Sequence, residues 1–334
     1  MSNILELKNI SKRFTKKLDL AGKAARLLGS GARDETVYAV DKVNLVIKRG
    51  EVVGLVGESG CGKTTLGRVV VGIHPPSEGE RWWQGRDVAT LSAAEKHAMQ
   101  LQLQMIFQDP YASLNPRLRV IDIIGEAPVV HGMVAANEQT DYVAELMQKV
   151  GLDATLAKRF PHQFSGGQRA RIGIARALAV KPQFLVCDEA VAALDVSIQA
   201  QVLNLFIELR QEFNLTYLFI SHDLGVVRHL SDRVVIMYLG RVVEVGATDD
   251  IFASTGLSNA HPYTQALLAE VPRLDVRKKN FVAIKGEIPS PLNPPSGCHF
   301  HPRCPHALPR CSIEQPVLRK IAPLRLSACH LNDL

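Results

Sequence analysis

The chain has 334 residues, is 46% hydrophobic and 22% charged, and carries a formal net charge of +6 with a pI near 9.0. That length supports one large core plus a smaller appended unit, and the composition is that of an ordinary soluble globular protein. No apolar run approaches the ~20 residues that span a bilayer, and the N-terminus, Met1-Ser2-Asn3-Ile4-Leu5-Glu6, lacks the basic-then-apolar pattern of a signal peptide. A cytoplasmic location is the expectation. The positive excess permits contact with nucleic acid or an anionic membrane face without demanding either. Six cysteines in such a chain are not read as disulfides.

Ile4-Leu5-Glu6-Leu7 and Val43-Asn44-Leu45-Val46-Ile47 alternate as half-buried strands do. Between them, residues 16–36 are rich in Lys, Arg, Ala and Gly and read as a surface insertion with a short helix at Leu20–Leu28. Glu51-Val52-Val53-Gly54-Leu55-Val56 fits a buried parallel strand. Ala93–Leu103 is helix-like, and from about Val120 to Leu178 the pattern is helical. Phe184–Cys187, Thr216–Ile220 and Val234–Tyr238 read as further buried strands, and helical stretches such as Ile198–Phe213 separate most of them. Alternating strand and helix implies a mostly parallel sheet with covering helices. The long helical excursion implies an inserted helical subdomain. After about His261 the composition changes: eleven of the 18 prolines fall from Pro262 onward and four of the six cysteines from Cys298 onward. This reads as a separate C-terminal unit with little regular structure.

Three motifs carry chemistry. Gly57-Glu58-Ser59-Gly60-Cys61-Gly62-Lys63-Thr64 matches G-x4-G-K-[ST] in full, after a strand and ahead of a segment beginning Thr65 that can open a helix. Glycines let backbone N–H groups wrap phosphates, and the helix start adds partial positive charge. Lys63 is placed to reach the β- and γ-phosphates, Thr64 to ligate Mg²⁺ and Thr65 to bond a phosphate; Cys61 reads as a small filler. The apolar run Phe184-Leu185-Val186-Cys187 ends in Asp188-Glu189. Buried carboxylates are costly unless they meet a cation, so Asp188 is placed for Mg²⁺ and Glu189 to polarise a water. Phe164-Ser165-Gly166-Gly167-Gln168-Arg169 is a second glycine-rich helix start opened by serine. One folded domain cannot bring two such surfaces onto the same nucleotide, which implies ATP sandwiched between two subunits.

With these motifs the chain resembles the ATPase subunits of ABC transporters over nearly its whole length. The resemblance implies an α/β P-loop NTPase core with a mostly parallel sheet, an antiparallel β portion, and an inserted helical subdomain over about residues 90–178. It divides the chain into an ATPase domain over 1–258 and a small irregular Cys/Pro-rich unit over 259–334. It makes Ser165, Gly166, Gly167 and Gln168 the signature that binds the partner subunit's ATP, with Phe164 where leucine is common. It makes Gln108 the Q-loop glutamine that senses Mg²⁺ and water, His222 the switch histidine that supports Glu189, and Asp195 the D-loop residue. Ala190 and Ala192 stand where close relatives carry proline and serine. An aromatic residue stacks on adenine in this family; Phe14 is the first choice and Tyr38 the second.

No membrane span is fused to the ATPase, which resembles importers. His261-Pro262-Tyr263-Thr264-Gln265-Ala266-Leu267-Leu268, Gly286-Glu287-Ile288-Pro289-Ser290-Pro291 and the cysteine tail resemble the oligopeptide and dipeptide importers, and within them the F-type ATPase subunit. The resemblance implies a second, non-identical ATPase, two membrane permease subunits and an extracytoplasmic solute-binding protein. It places the chain peripherally on the cytoplasmic face of the plasma membrane, with no nucleic-acid partner. Nickel, opines, glutathione and oligosaccharides are alternative solutes in this branch. A non-transport ATPase acting on nucleic acid or the ribosome is a distant alternative. Cys298, Cys304, Cys311 and Cys329, spaced C-x5-C-x6-C-x17-C, lack the C-x2-C usual for zinc. Relatives with this tail imply a [4Fe–4S] cluster; zinc and unliganded thiols are the alternatives.

Overall fold

The structure, a computed structural model, describes residues 2–18, 34–109, 111–253, 260–270, 284 and 286–333. The helix expected at Leu20–Leu28 lies outside the described residues. Strands β1 (Asn3–Lys16) and β2 (Glu35–Lys48) pair antiparallel, and their alternation buries Leu5, Leu7, Val43, Leu45 and Ile47 on one face. The far end of the pair sets Thr15 opposite Thr36, their hydroxyls 3.1 Å apart, and takes Lys16, Glu35 and Thr36 of the segment read as an insertion into the strands. The main sheet begins with β3 (Val52–Val56), and β4 (Glu78–Trp83) and β5 (Arg86–Asp87) complete a four-stranded antiparallel sheet in the order β2-β1-β4-β5.

The main sheet is eight-stranded. Its centre is β3 flanked by β8 (Thr216–Ile220) and β9 (Arg233–Tyr238), then β7 (Phe184–Asp188) and β6 (Leu103–Ile106), all parallel neighbours. Every residue of β3, β7 and β8 is buried, as expected for strands covered on both faces. Helix α1 (Lys63–Val71) follows β3. Helix α2 (Ala93–Gln102) ends where β6 begins, so the chain inside the range read as helical re-enters the sheet for four residues. So short a run shows no period of its own and continues the helix-like pattern before it. The helical subdomain proper follows: α3 (Val120–Val130), α4 (Gln139–Lys149) and α5 (Gly166–Leu178), packed through Ile124, Val143, Met147 and Ile172. Helix α6 (Val196–Phe213) returns the chain to β8.

The C-terminal segment departs from the separate, irregular unit read from composition. β10 (Arg241–Ala247) pairs antiparallel with β9, and β12 (Arg325–Ser327) pairs with β10 through Glu244↔Ser327 and Val245↔Leu326; β11 (Arg319–Ala322) lies outside β12. The fully buried Glu244 carboxylate accepts from Arg325 Nε at 2.6 Å and from the His261 N–H at 3.0 Å. Tyr263 and Phe300 pack against Tyr238 and join the core formed by Val56, Val234 and Ile236. The segment is therefore spliced into the edge of the main sheet.

Candidate active site

Parallel strands that end on one edge bring their following residues together, and here β3, β8, β7 and β6 are consecutive neighbours. The phosphate loop follows β3, His222 follows β8, Asp188 and Glu189 close β7, and Gln108 follows β6. In the loop, Gly62 has φ 105°, and a Cβ there would lie 2.1 Å from the Ala39 carbonyl oxygen. A Cβ on Gly57 would lie 2.2 Å from the Met237 carbonyl oxygen. Both positions therefore require glycine. The buried Lys63 ammonium donates to the carbonyls of Gly57 at 2.8 Å and Glu58 at 3.0 Å. An ammonium has three N–H donors; the remaining one lies toward the Cys61 sulfur at 3.9 Å and is available to a phosphate oxygen.

Thr64 Oγ1 donates to Asp188 Oδ1 at 2.9 Å. Burial is the main cause that raises the Asp188 carboxyl above its usual range, Glu189 adds to it, and the Thr64 hydrogen bond opposes it. A hard cation would reverse that balance. Two oxygens at this separation match adjacent corners of an octahedron with Mg²⁺–O distances of about 2.1 Å, whose edge is about 3.0 Å. The donor set therefore fits Mg²⁺. Glu189 has φ 48°, and its N–H is tied to the Ile220 carbonyl at 3.0 Å. Its carboxylate accepts from Gln108 Nε2 at 2.7 Å and lies 3.2 Å from His222 Nδ1.

These groups border one cleft of about 610 Å³, lined by Phe14, Ser59, Gly60, Gly62, Lys63, Thr64, Thr65, Gln108, Glu189 and His222 together with Val37, Ala39 and Pro291. Phe14 is at the cleft and 39% exposed, with its ring edge-to-face on His74. Tyr38 is not among the lining residues; its ring lies beneath the Arg13 guanidinium. The Glu58 side chain also turns away from the cleft, onto Arg303.

Ser165, Gly166, Gly167 and Gln168, expected to form the signature, are not among the residues lining this cleft. Ser165 caps α5: its Oγ accepts from the Gln168 N–H at 3.3 Å while its own N–H donates to Gln168 Oε1 at 3.0 Å. Ser165 and Gly166 are exposed. Asp195 caps α6 by accepting from the Ile198 N–H at 3.0 Å. A Cβ on Gly167 would lie 2.5 Å from Ile198 Cγ2, so the two helix starts touch through a glycine.

Residues 40–192 match the ABC transporter family, and residues 243–311 match the family described as oligopeptide/dipeptide transporter, C-terminal region. The chain is 48% identical over 332 residues, 98% of its length and 97% of the relative's, to the oligopeptide transport ATP-binding protein AppF of Bacillus subtilis. This chain belongs to the oligopeptide/dipeptide branch of the ABC transporter ATP-binding proteins. It is also 49% identical to the putative oligopeptide transport ATP-binding protein YkfD of Bacillus subtilis, covering 90% of this chain and 91% of that one. Among solved structures it is similar to the ATP-binding cassette MJ0796 in a dimeric post-hydrolysis state with ADP and Pi, at 28% identity and a TM-score of 0.62, covering 73% of this chain and 99% of that one.

For a member of this branch, the part least visible in sequence is the C-terminal region. Its four cysteines are free. Burial pushes the Cys298 thiol up to about 11, with Cys311 and Cys304 adding to it, and pushes Cys329 up to about 11, with Cys298, Cys304 and Cys311 adding. The Cys298 N–H donates to the Cys311 carbonyl at 2.8 Å. Among the described residues no three His, Cys, Asp or Glu side chains converge to hold a metal ion. Pro291, Tyr263 and Arg303 reach this cleft or its loop from this region; Tyr263 and Pro291 lie in segments that carry the family resemblance, but no short-range pattern signals these contacts. The carbonyl of Pro291 accepts from the Tyr38 N–H at 3.0 Å.

Proposed function

We propose that this chain is the ATP-hydrolysing subunit of an ABC importer that takes up di- or oligopeptides through separate membrane subunits. The observation that carries this reading is Glu189, held by Gln108 and His222 above a complete phosphate loop. The near full-length likeness to oligopeptide transport ATP-binding proteins supports the peptide cargo.

In this reading the loop N–H groups of 57–65 and Lys63 hold the ATP phosphates, and Phe14 stacks on adenine. Thr64 and Asp188, with Gln108 nearby, hold Mg²⁺, which when bound neutralises charge on the β- and γ-phosphates. Glu189 orients and polarises the attacking water. His222 and Gln108 each bond one carboxylate oxygen of Glu189 and so fix its plane. Phosphoryl transfer asks mostly for such positioning and charge neutralisation. Ser165, Gly166, Gly167 and Gln168 face the ATP of a second ATPase subunit, with Asp195 at the same interface; their position outside this chain's own cleft supports that assignment. The second ATPase is a non-identical relative. Two permease subunits and an extracytoplasmic binding protein complete the importer, and the chain sits on the cytoplasmic face of the membrane. No helix among the described residues is long and apolar enough to cross a membrane. The working division is an ATPase domain over 1–258, with its helical subdomain over about 90–178, and a C-terminal region over 259–334.

The test is uptake. Cells lacking this gene lose uptake of a labelled tripeptide and regain it with the wild-type gene but not with Glu189→Gln. Normal peptide uptake in the deletion strain, with loss of uptake of another solute, refutes the peptide reading.

The finer reading of the tail is that Cys298, Cys304, Cys311 and Cys329 hold a [4Fe–4S] cluster. The hydrogen bond from the Cys298 N–H to the Cys311 carbonyl joins two of the four cysteine segments, which supports a shared site, and zinc or unliganded thiols are the alternatives. Protein purified without oxygen is then brown and contains iron. Colourless protein with stoichiometric zinc sinks the idea.

A further inference from the structure

The phosphate loop is braced from behind by two side chains of the C-terminal region. The Glu58 carboxylate receives Arg303 Nη1 at 2.7 Å and Nη2 at 3.0 Å, one prong to each oxygen. Such a two-pronged pair fixes both the place and the plane of the carboxylate. The Glu58 N–H donates to the Tyr263 hydroxyl at 2.9 Å. Only 6% of the Arg303 side chain is exposed; among the described residues its Nε has no hydrogen-bond partner, and its Nη1 also reaches the Tyr238 hydroxyl at 3.4 Å. Water cannot serve this guanidinium, so Glu58 is its counter-charge. The Glu58 carbonyl in turn holds the Lys63 ammonium at 3.0 Å. One loop residue therefore joins the C-terminal region on one side to the phosphate-binding lysine on the other.

We infer that Arg303, assisted by Tyr263, is a positioning residue for ATP: it fixes Glu58 and thereby the curvature of the phosphate loop and the place of Lys63. The inference rests on the reading of 57–65 as the ATP phosphate site. A loop whose N–H groups already converge binds phosphate without first being ordered, and a loop released from its brace must be ordered at the expense of affinity.

The experiment is equilibrium binding of a fluorescent ATP analogue to the full chain, followed by steady-state hydrolysis in the assembled importer. Arg303→Ala raises the Kd about tenfold, equivalent to about 1.4 kcal/mol, and in hydrolysis the loss falls on KM more than on kcat. Arg303→Lys raises the Kd by a smaller factor, because an ammonium cannot make the two-pronged pair. Exchanging the charges, Glu58→Arg with Arg303→Glu, brings the Kd back toward the wild-type value. Folded Arg303→Ala with wild-type affinity overturns the proposal, as does a charge exchange that binds no better than Arg303→Ala alone. If Arg303→Ala does not fold, Arg303→Lys decides by the same criterion: an unchanged Kd overturns the proposal and a raised one supports it. Lys63→Ala is the separate control. If it binds the analogue like wild type, the ATP-site reading itself fails, whatever Arg303 does.

Discussion

Glu189 occupies the left-handed region at φ 48°, which costs a side-chain-bearing residue on the order of 1 kcal/mol or more. The sheet holds it there through the bond from its N–H to Ile220. The result is a carboxylate aimed between Gln108 and His222 instead of continuing along β7. Replacing its charge keeps the shape and removes the water-polarising oxygen. Glu189→Gln is therefore expected to lower phosphate release by about 100-fold or more while ATP binding survives, measured on the assembled importer. At this scale the sequence was informative wherever chemistry is written in short spacings. Lys63, Thr64, Asp188, Glu189 and Ser165 lie in compact motifs; Lys63, Thr64 and Glu189 line one cleft, and the buried Asp188 is bonded to Thr64 beneath it. Phe14, the first choice from sequence for the adenine contact, lines the cleft and Tyr38 does not; Glu58 has its partner far along the chain, so its ion pair was not legible.

At the scale of elements, the start of α5 and the start of α6 meet at Gly167 and Ile198. The Ser165 cap and the Asp195 cap are thus parts of one corner, each helix start fixed by its own cap. A methyl group at Gly167 would lie 2.5 Å from Ile198 Cγ2, closer than carbon atoms approach. Gly167→Ala is expected to destabilise the fold by about 1–3 kcal/mol through overpacking, seen as a lower urea midpoint. Adding Ile198→Ala should recover much of that loss. Strands β3, β7 and β8 were readable because strands buried on both faces are continuous apolar runs. β6, β11 and β12 were not readable, because they are two to four residues of pairing whose existence depends on distant neighbours.

Across the whole molecule, the C-terminal region and the ATPase body share one interior. Burial pushes His261 down to about 3, and burial aided by Arg241 pushes His299 down to about 4, from an ordinary value of 6.5. Both are neutral where this region meets the sheet, His299 facing the Leu239 carbonyl at 2.9 Å. The unfolded chain protonates them as pH falls through 6.5, whereas the folded chain does not until about 3 to 4. Below 6.5 the unfolded state therefore binds more protons, and stability that is full above that pH is lost as the solution becomes acid. At a pH of about 5 the loss is on the order of 2 kcal/mol for each histidine, so the urea midpoint should fall between neutral pH and pH of about 5. A midpoint that does not move contradicts the burial of both rings. Composition drew a boundary near His261 because proline and cysteine are unevenly distributed. It could not register Glu244 with Arg325 or Glu58 with Arg303, because ion pairs between distant segments leave no local pattern.

That last pair also sets a clock. Glu58 and Arg303 are 245 residues apart. A ribosome adding roughly 5–20 residues per second takes roughly 12–50 s to travel between them. Throughout that interval a nascent chain carries its phosphate loop without the counter-charge that fixes it. A message broken after the codon for His222 and before that for Arg303 yields a product with its ATPase motifs intact and its loop unbraced. Quality control that acts on the nascent chain therefore meets a recognisable but unfinished nucleotide site.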